Sequence, residues 1–221
     1  MEKITHDRIL ENQGIRTYIE LADASLSALG YTEHSFAHVG LVADRAGEIL
    51  AALGRPAREI ELARIAGLLH DIGNIVNRAG HSQSGALLAF HLLSEMGLPP
   101  AETAAVVTAI GNHDEGDGEA VSDIAAALIL ADKSDVRRSR VRNPDPATFD
   151  IHDRVNFSVI STRLSVDTAE RRVVLSLTID TAVSPVLDYF EIFLERMLLC
   201  RRAARRLGLA FGLVINESVM L

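Results

Sequence analysis

The sequence predicts a mostly α-helical protein: a helical bundle over residues 1–142 followed by a small β-β-α-β unit over residues 150–221, an α+β arrangement. Three observations predict it. Apolar residues recur at helical spacing through the first part, and the stretch "RNPDPATFD" (142–150), with two prolines and two aspartates, makes a poor helix and a good linker. Beyond it the apolar period falls to two.

The elements follow in order. Leu41, Val42, Ala46, Ile49, Leu50 and Leu53 form one helical face, which Gly54 and Pro56 end. A second helix runs from about Arg58 through "EIELARIAGLLHD" and stops near Gly73. A third begins after Gly80 and carries Ala86, Leu87, Phe90, Leu93 and Met96 before "GLPP" breaks it. "AETAAVVTAIGNH" and "VSDIAAALILADKSDVRR" supply two more, the latter N-capped by Ser122. In the tail, "VNFSVISTRLSV" and "RRVVLSLTID", separated by "DTAE", read as a hairpin. In its second strand Val173, Leu175, Leu177 and Ile179 alternate with polar residues. Ser184 as N-cap and Pro185 at the first helical position start a helix through Tyr189, Phe190, Phe193, Met197, Leu198 and Leu207 that ends at Gly208. "AFGLVIN" (210–216) is a last strand.

Composition narrows the function classes. The longest apolar run, "IAAALILA", is less than half of the roughly 18 residues that cross a bilayer. "MEKITHDRIL" has no apolar stretch that could act as a signal peptide, so a cytoplasmic protein is expected. Cys200 is alone, which removes intrachain disulfides and cysteine-based zinc sites and leaves it as a buried apolar residue. A net charge of −8 argues against a general nucleic-acid or anionic-membrane surface, with one local exception in the basic run "KSDVRRSRVR" (133–142).

Five groups could hold a metal: His38, the pair His70-Asp71, His81, His113 and Asp132. Each lies near the end of a predicted helix. Adjacent residues on a helix point about 100° apart, so His70 and Asp71 can share an ion only where the helix stops, as Gly73 allows. Asp132 interrupts an otherwise apolar face. His34, four residues before His38, is its rival on the same helical face. The register to Val42 and Ala43 favours His38, leaving His34 as a support or a cap. His91 reads as an ordinary core or surface histidine. His6 and His152 are expected to be exposed, and "IHD" (151–153) is discounted because no apolar helix precedes it. Neutral imidazoles with carboxylates suit Mn, Fe, Ni, Co or Zn, with Mg as a further candidate.

"HVGLVADRAGEILAALG" (38–54), "ARIAGLLHDIGN" (63–74) and "LILADKSD" (128–135) together resemble the HD superfamily of metal-dependent phosphohydrolases over roughly residues 30–140. The resemblance implies an HD-domain helical bundle, with the family's four ligands on His38, His70, Asp71 and Asp132. "GHSQSGALLAFHLL" and "AIGNHDEGDG" resemble the subset in which two further histidines, here His81 and His113, bind a second metal while Asp71 bridges both. One or two divalent metals are therefore implied. The layout is similar to small HD hydrolases of diadenosine polyphosphates and, distantly, to cyclic-dinucleotide phosphodiesterases. The Gly-Tyr-Pro signature of the latter is replaced by "EGDGEA" (115–120), and Asn112 stands where they have a histidine, which argues against cyclic-di-GMP activity.

The expected reaction is hydrolysis of a phosphate ester or anhydride in a nucleotide or similar small molecule. The metal would lower the pKa of bound water from about 16 toward about 7. Asp71 or Asp132 would orient that water, while Lys133 with Arg137 and Arg138 would hold the substrate. Arg140 and Arg142 belong to the same basic run, whose bland reading is a solvated helix end. The acidic loop "NHDEGDGEAVSD" is expected over the site. Two other classes stay open: a ligand-binding sensor whose tail pairs edge strands in a homodimer, and an iron-dependent oxygenase.

Overall fold

The computed structural model describes residues 3–221; the first two residues of the N-terminal stretch lie outside it. Thr5 and Asn12 cap α1 (His6–Leu10) and α2 (Gln13–Ala28) by accepting backbone N–H groups. Ser35 does the same for α3 (Phe36–Ala52), and Pro56 precedes α4 (Ala57–Leu69). A short 3-10 turn (Ile72–Ile75) leads to α5 (His81–Glu95), and Pro100 opens α6 (Pro100–Gly111). Ser122 accepts from the Ala125 amide to cap α7 (Asp123–Lys133), as its sequence implies.

Every residue of α7 from Ile124 to Lys133 is buried, so this helix is apolar on all sides except at its C-terminal end. α3, α4, α6 and the later helix α9 (Val186–Arg206) surround it. α3 and α4 approach so closely that a side chain at Gly67 would stand 2.6 Å from the Ala43 Cα.

The tail holds α8 (Ile151–Ser158), β1 (Val159–Asp167), β2 (Arg172–Ile179), α9, β3 (Ala210–Ile215) and β4 (Ser218–Val219). β1 and β2 form the expected antiparallel hairpin, and α9 is the crossover that returns β3 parallel to β2, with Leu175 opposite Leu213. The alternation in β2 is borne out, since Val173, Leu175, Leu177 and Ile179 are all buried. A single apolar core runs from α1 through α7 into α9 and the inner face of the sheet.

Several expectations are corrected. Residues 155–158, read as strand, are helical. Asp150 caps α8 by accepting the Asp153 amide, and the alternation of Val155, Phe157 and Val159 only imitates a strand. The helix of the last bundle segment ends at Lys133 rather than continuing through Arg138. α9 begins one residue late, with Pro185 at the cap position and the Ser184 hydroxyl donating to Asp188. Leu87 and Phe90 face outward, and α5 buries the smaller Gly85, Ala86 and Ala89 instead, because α6 packs close. β4 was not anticipated: Asn216 and Glu217, both with positive φ, make its two-residue turn. His6 is buried rather than exposed, with its ring beside Asp7 and its amide donating to Glu61. His91 lies at the surface beside Glu95, and Cys200 is buried as expected.

Candidate metal centre and substrate cavity

α4 stops at Leu69, and His70 and Asp71 occupy the turn that follows. Gly73 is not where the helix ends. It lies inside the 3-10 turn, where a side chain would collide with the His81 carbonyl and the Gly85 amide. The bare Cα therefore lets the start of α5 dock against the turn, which brings His81 to Asp71. His38 arrives from the first turn of α3, His113 from the residues after α6, and Asp132 from the end of α7.

The six side chains converge. His38 Nε2 lies 3.4 Å from Asp71 Oδ2 and 3.5 Å from Asp132 Oδ1, and His70 Nε2 lies 3.2 Å and 3.7 Å from the same two atoms. The other oxygen of Asp71, Oδ1, is 3.6 Å from His81 Nε2. Three overlapping triads result: His38, His70 and Asp71; His70, His113 and Asp132; Asp71, His81 and His113.

The imidazole tautomers follow from what each Nδ1 meets. His70 Nδ1 lies 2.8 Å from the Gly67 carbonyl, His81 Nδ1 3.1 Å from that of Arg78, and His113 Nδ1 2.6 Å from that of Ile110. His38 Nδ1 lies 2.8 Å from Asp135 Oδ2. Carbonyl and carboxylate oxygens only accept, so each Nδ1 carries the proton and each neutral ring presents a bare Nε2 lone pair. Yet the Nε2 atoms face each other in pairs, 3.3 Å apart for His38 and His70 and 3.2 Å for His81 and His113. Two lone pairs cannot satisfy each other; cations between them can. Donors bound at 2.0–2.2 Å around one ion stand roughly 3.0–3.5 Å apart, so the donor set fits divalent transition metals.

The carboxylates favour a proton on the His38 and His70 rings, not on His113. Burial would lower the His70 pKa, but Asp71 and Asp132 beside it push it up to about 10. Burial would raise Asp71 and Asp132; His70 and His38 hold the first well below the usual carboxylate range, and Lys133 and the same imidazoles hold the second. His113, buried and next to His70 and Lys133, is driven well below its ordinary value.

Asp135 is a buried residue that sequence reasoning passed over inside the basic run. It accepts from His38, from Arg137 Nε at 2.7 Å, and faces Arg140 at 3.6 Å. Its spacing of three from Asp132 was the available signal. Lys133 is buried too, with Nζ 2.8 Å from Asp132 Oδ2 and 2.9 Å from Glu115 Oε2. Asp132 therefore turns its other oxygen to the imidazoles.

A cavity of about 440 Å³ opens over Asp71 and Asp132. Lys133, Arg78, Arg140 and Arg196 give it four cationic side chains, and Tyr31, Phe193, His152, Asp153 and Asn156 complete much of the wall. Arg137 and Arg138 are placed elsewhere: Arg137 pairs with Asp135 and Glu33, and Arg138 donates to the Phe157 carbonyl and stacks on its ring. His34 precedes α3 and so does not share its face with His38. Its ring meets His38 edge-on with centroids 5.4 Å apart, at the cavity wall. The acidic loop reaches the site through Asp114 and Glu115, which face Lys133. Arg78, His152 and Arg196 were not foreseen here; the signal for Arg196 was an arginine amid the apolar positions Phe193, Met197 and Cys200 of its helix.

No helix is long and apolar enough to cross a membrane, among the described residues. A family model described as HD domain matches residues 35–138. An uncharacterized protein of Methanocaldococcus jannaschii is 25% identical over 173 residues, covering 68% of this chain and 66% of that protein. Two proteins named Ribonuclease Y, from Oceanobacillus iheyensis and Enterococcus faecalis, are 33% and 34% identical over 113 and 116 residues, about half of this chain (51%) but only 20% of their own length. His38, His70, Asp71, His81, His113 and Asp132 all fall inside the matched segment, while α8, α9 and the sheet lie beyond it. Residues 35–138 thus carry an HD domain, the mark of a family that is in general one of metal-dependent phosphohydrolases.

Proposed function

We propose that the chain hydrolyses a phosphate ester or anhydride of a nucleotide or similar small molecule, using two divalent metals held by His38, His70, Asp71, His81, His113 and Asp132. One observation carries this reading above the rest: bare Nε2 lone pairs face each other in two pairs, with the two oxygens of Asp71 divided between them. The bound ions would supply a water of lowered pKa and offset charge on the phosphoryl oxygens.

The protein's own groups do the rest. Asp71 spans the two triads and sets their separation. Lys133 holds one oxygen of Asp132, which leaves Oδ1 fixed beside His38 and His70 to orient the attacking water. The cationic side chains of the cavity receive the phosphate. A volume of about 440 Å³ lies in the ordinary range for small-molecule sites, and the charge of −8 disfavours a long nucleic acid. The name of the two ribonucleases supports a phosphodiester as one bond to test.

Phosphate release from nucleoside mono-, di- and triphosphates, dinucleotides and a short RNA, measured with added Mn under anaerobic conditions, tests the proposal. Turnover of a small substrate is expected. Binding without turnover under every metal condition would favour the sensor reading, and turnover that needs iron and oxygen would favour the oxygenase.

A further inference from the structure

Arg196 projects from α9, beyond the segment that matches the HD family, yet it lines the same cavity as Asp71, Asp132 and Lys133. Two neighbours immobilise it. Its Nε donates to Glu115 Oε1 at 2.7 Å, and its guanidinium lies over the Phe193 ring, 4.3 Å from the centroid. Among the described residues, the Nη1 and Nη2 groups have no protein acceptor, so the outer fork of the guanidinium stays open. Glu115 is itself shared: its other oxygen takes Lys133 Nζ at 2.9 Å. One carboxylate thus sets two cations side by side. Arg140 and Arg78 on the same cavity wall add like charge. Asp71, Asp132, Asp150 and Asp153 line the cavity too, so its charge is mixed; what singles out Arg196 is its open fork, which matches two phosphate oxygens.

We propose that Arg196 is a substrate-binding residue that grips the phosphate of the substrate with its Nη1/Nη2 fork, with Glu115 and Phe193 as its positioning residues. The tail is then part of the active site rather than an appendage to it. This inference rests on the hydrolase reading above.

The test measures inorganic phosphate binding by calorimetry to the full-length, metal-loaded protein, together with KM and kcat on the best nucleotide substrate. Native protein is compared with Arg196→Met, Arg196→Lys and, as a control on the exposed side of the same helix, Arg202→Met. Arg196→Met should weaken phosphate binding and raise KM by about tenfold or more, the loss of a charged, bidentate contact. Arg196→Lys, which keeps the charge but not the fork, should recover only part of it. Metal content should stay native in all three, and Arg202→Met should bind phosphate as native does. Native-like phosphate affinity and KM in both Arg196 variants would overturn this inference and leave the hydrolase reading standing. A native protein that neither binds phosphate nor turns over any phosphorylated substrate would overturn both. Loss of metal from both Arg196 variants would make the residue structural and also overturn the proposal.

Discussion

In the proposed centre, Asp135 supports the candidate ligand His38 from behind. Its carboxylate fixes the Nδ1 proton of His38 and so aims the Nε2 lone pair at Asp71 and Asp132, while Arg137 and Arg140 keep Asp135 itself in place. Replacing it with Asn keeps the shape and removes the charge. Asp135→Asn should lower metal affinity by about 10- to 100-fold, measured by competition with a chelator; unchanged affinity would show that the imidazole is oriented by packing alone. The six converging residues themselves were legible because each interrupts an apolar helix or lies near its end. Asp135 was not, because the four arginines that follow it made the run look like a cationic patch. Arg196 was hidden for a different reason: only the packing of α9 on α7 brings it to the site.

The elements bring the candidate ligands together by meeting closely. α3 brings His38 and α4 brings His70, and they touch backbone to backbone at Gly67 and Ala43. Gly67→Ala should force them apart at a cost of about 1–3 kcal/mol, seen as a lower urea midpoint of the metal-free protein. Metal affinity should fall with it, since the His38–His70 spacing would widen. A native midpoint would mean that the helices have room to yield. Helices α3 to α7 were readable from periodicity and caps, which are local signals. α8 and β4 were not. The first turns on one capping aspartate against a misleading alternation, and the second is two residues long, too short for any periodicity.

At the scale of the molecule, the break in composition at residues 142–150 suggests two domains, a division that the continuous apolar core sets in a different light. α7 packs against α9 as well as against α3, α4 and α6. If that core acts as one unit, the amides of α7 and of β2 and β3 should lose protection from hydrogen exchange at the same urea concentration. Separate midpoints would restore an independent tail.

The proposed binuclear centre is most directly tested by elemental analysis of the purified protein beside its Asp71→Ala variant. Two transition-metal ions per native chain are expected, with both ions and phosphate release lost in the variant, because Asp71 belongs to two of the three triads. A native chain without transition metal, or a variant that keeps both ions, would contradict it.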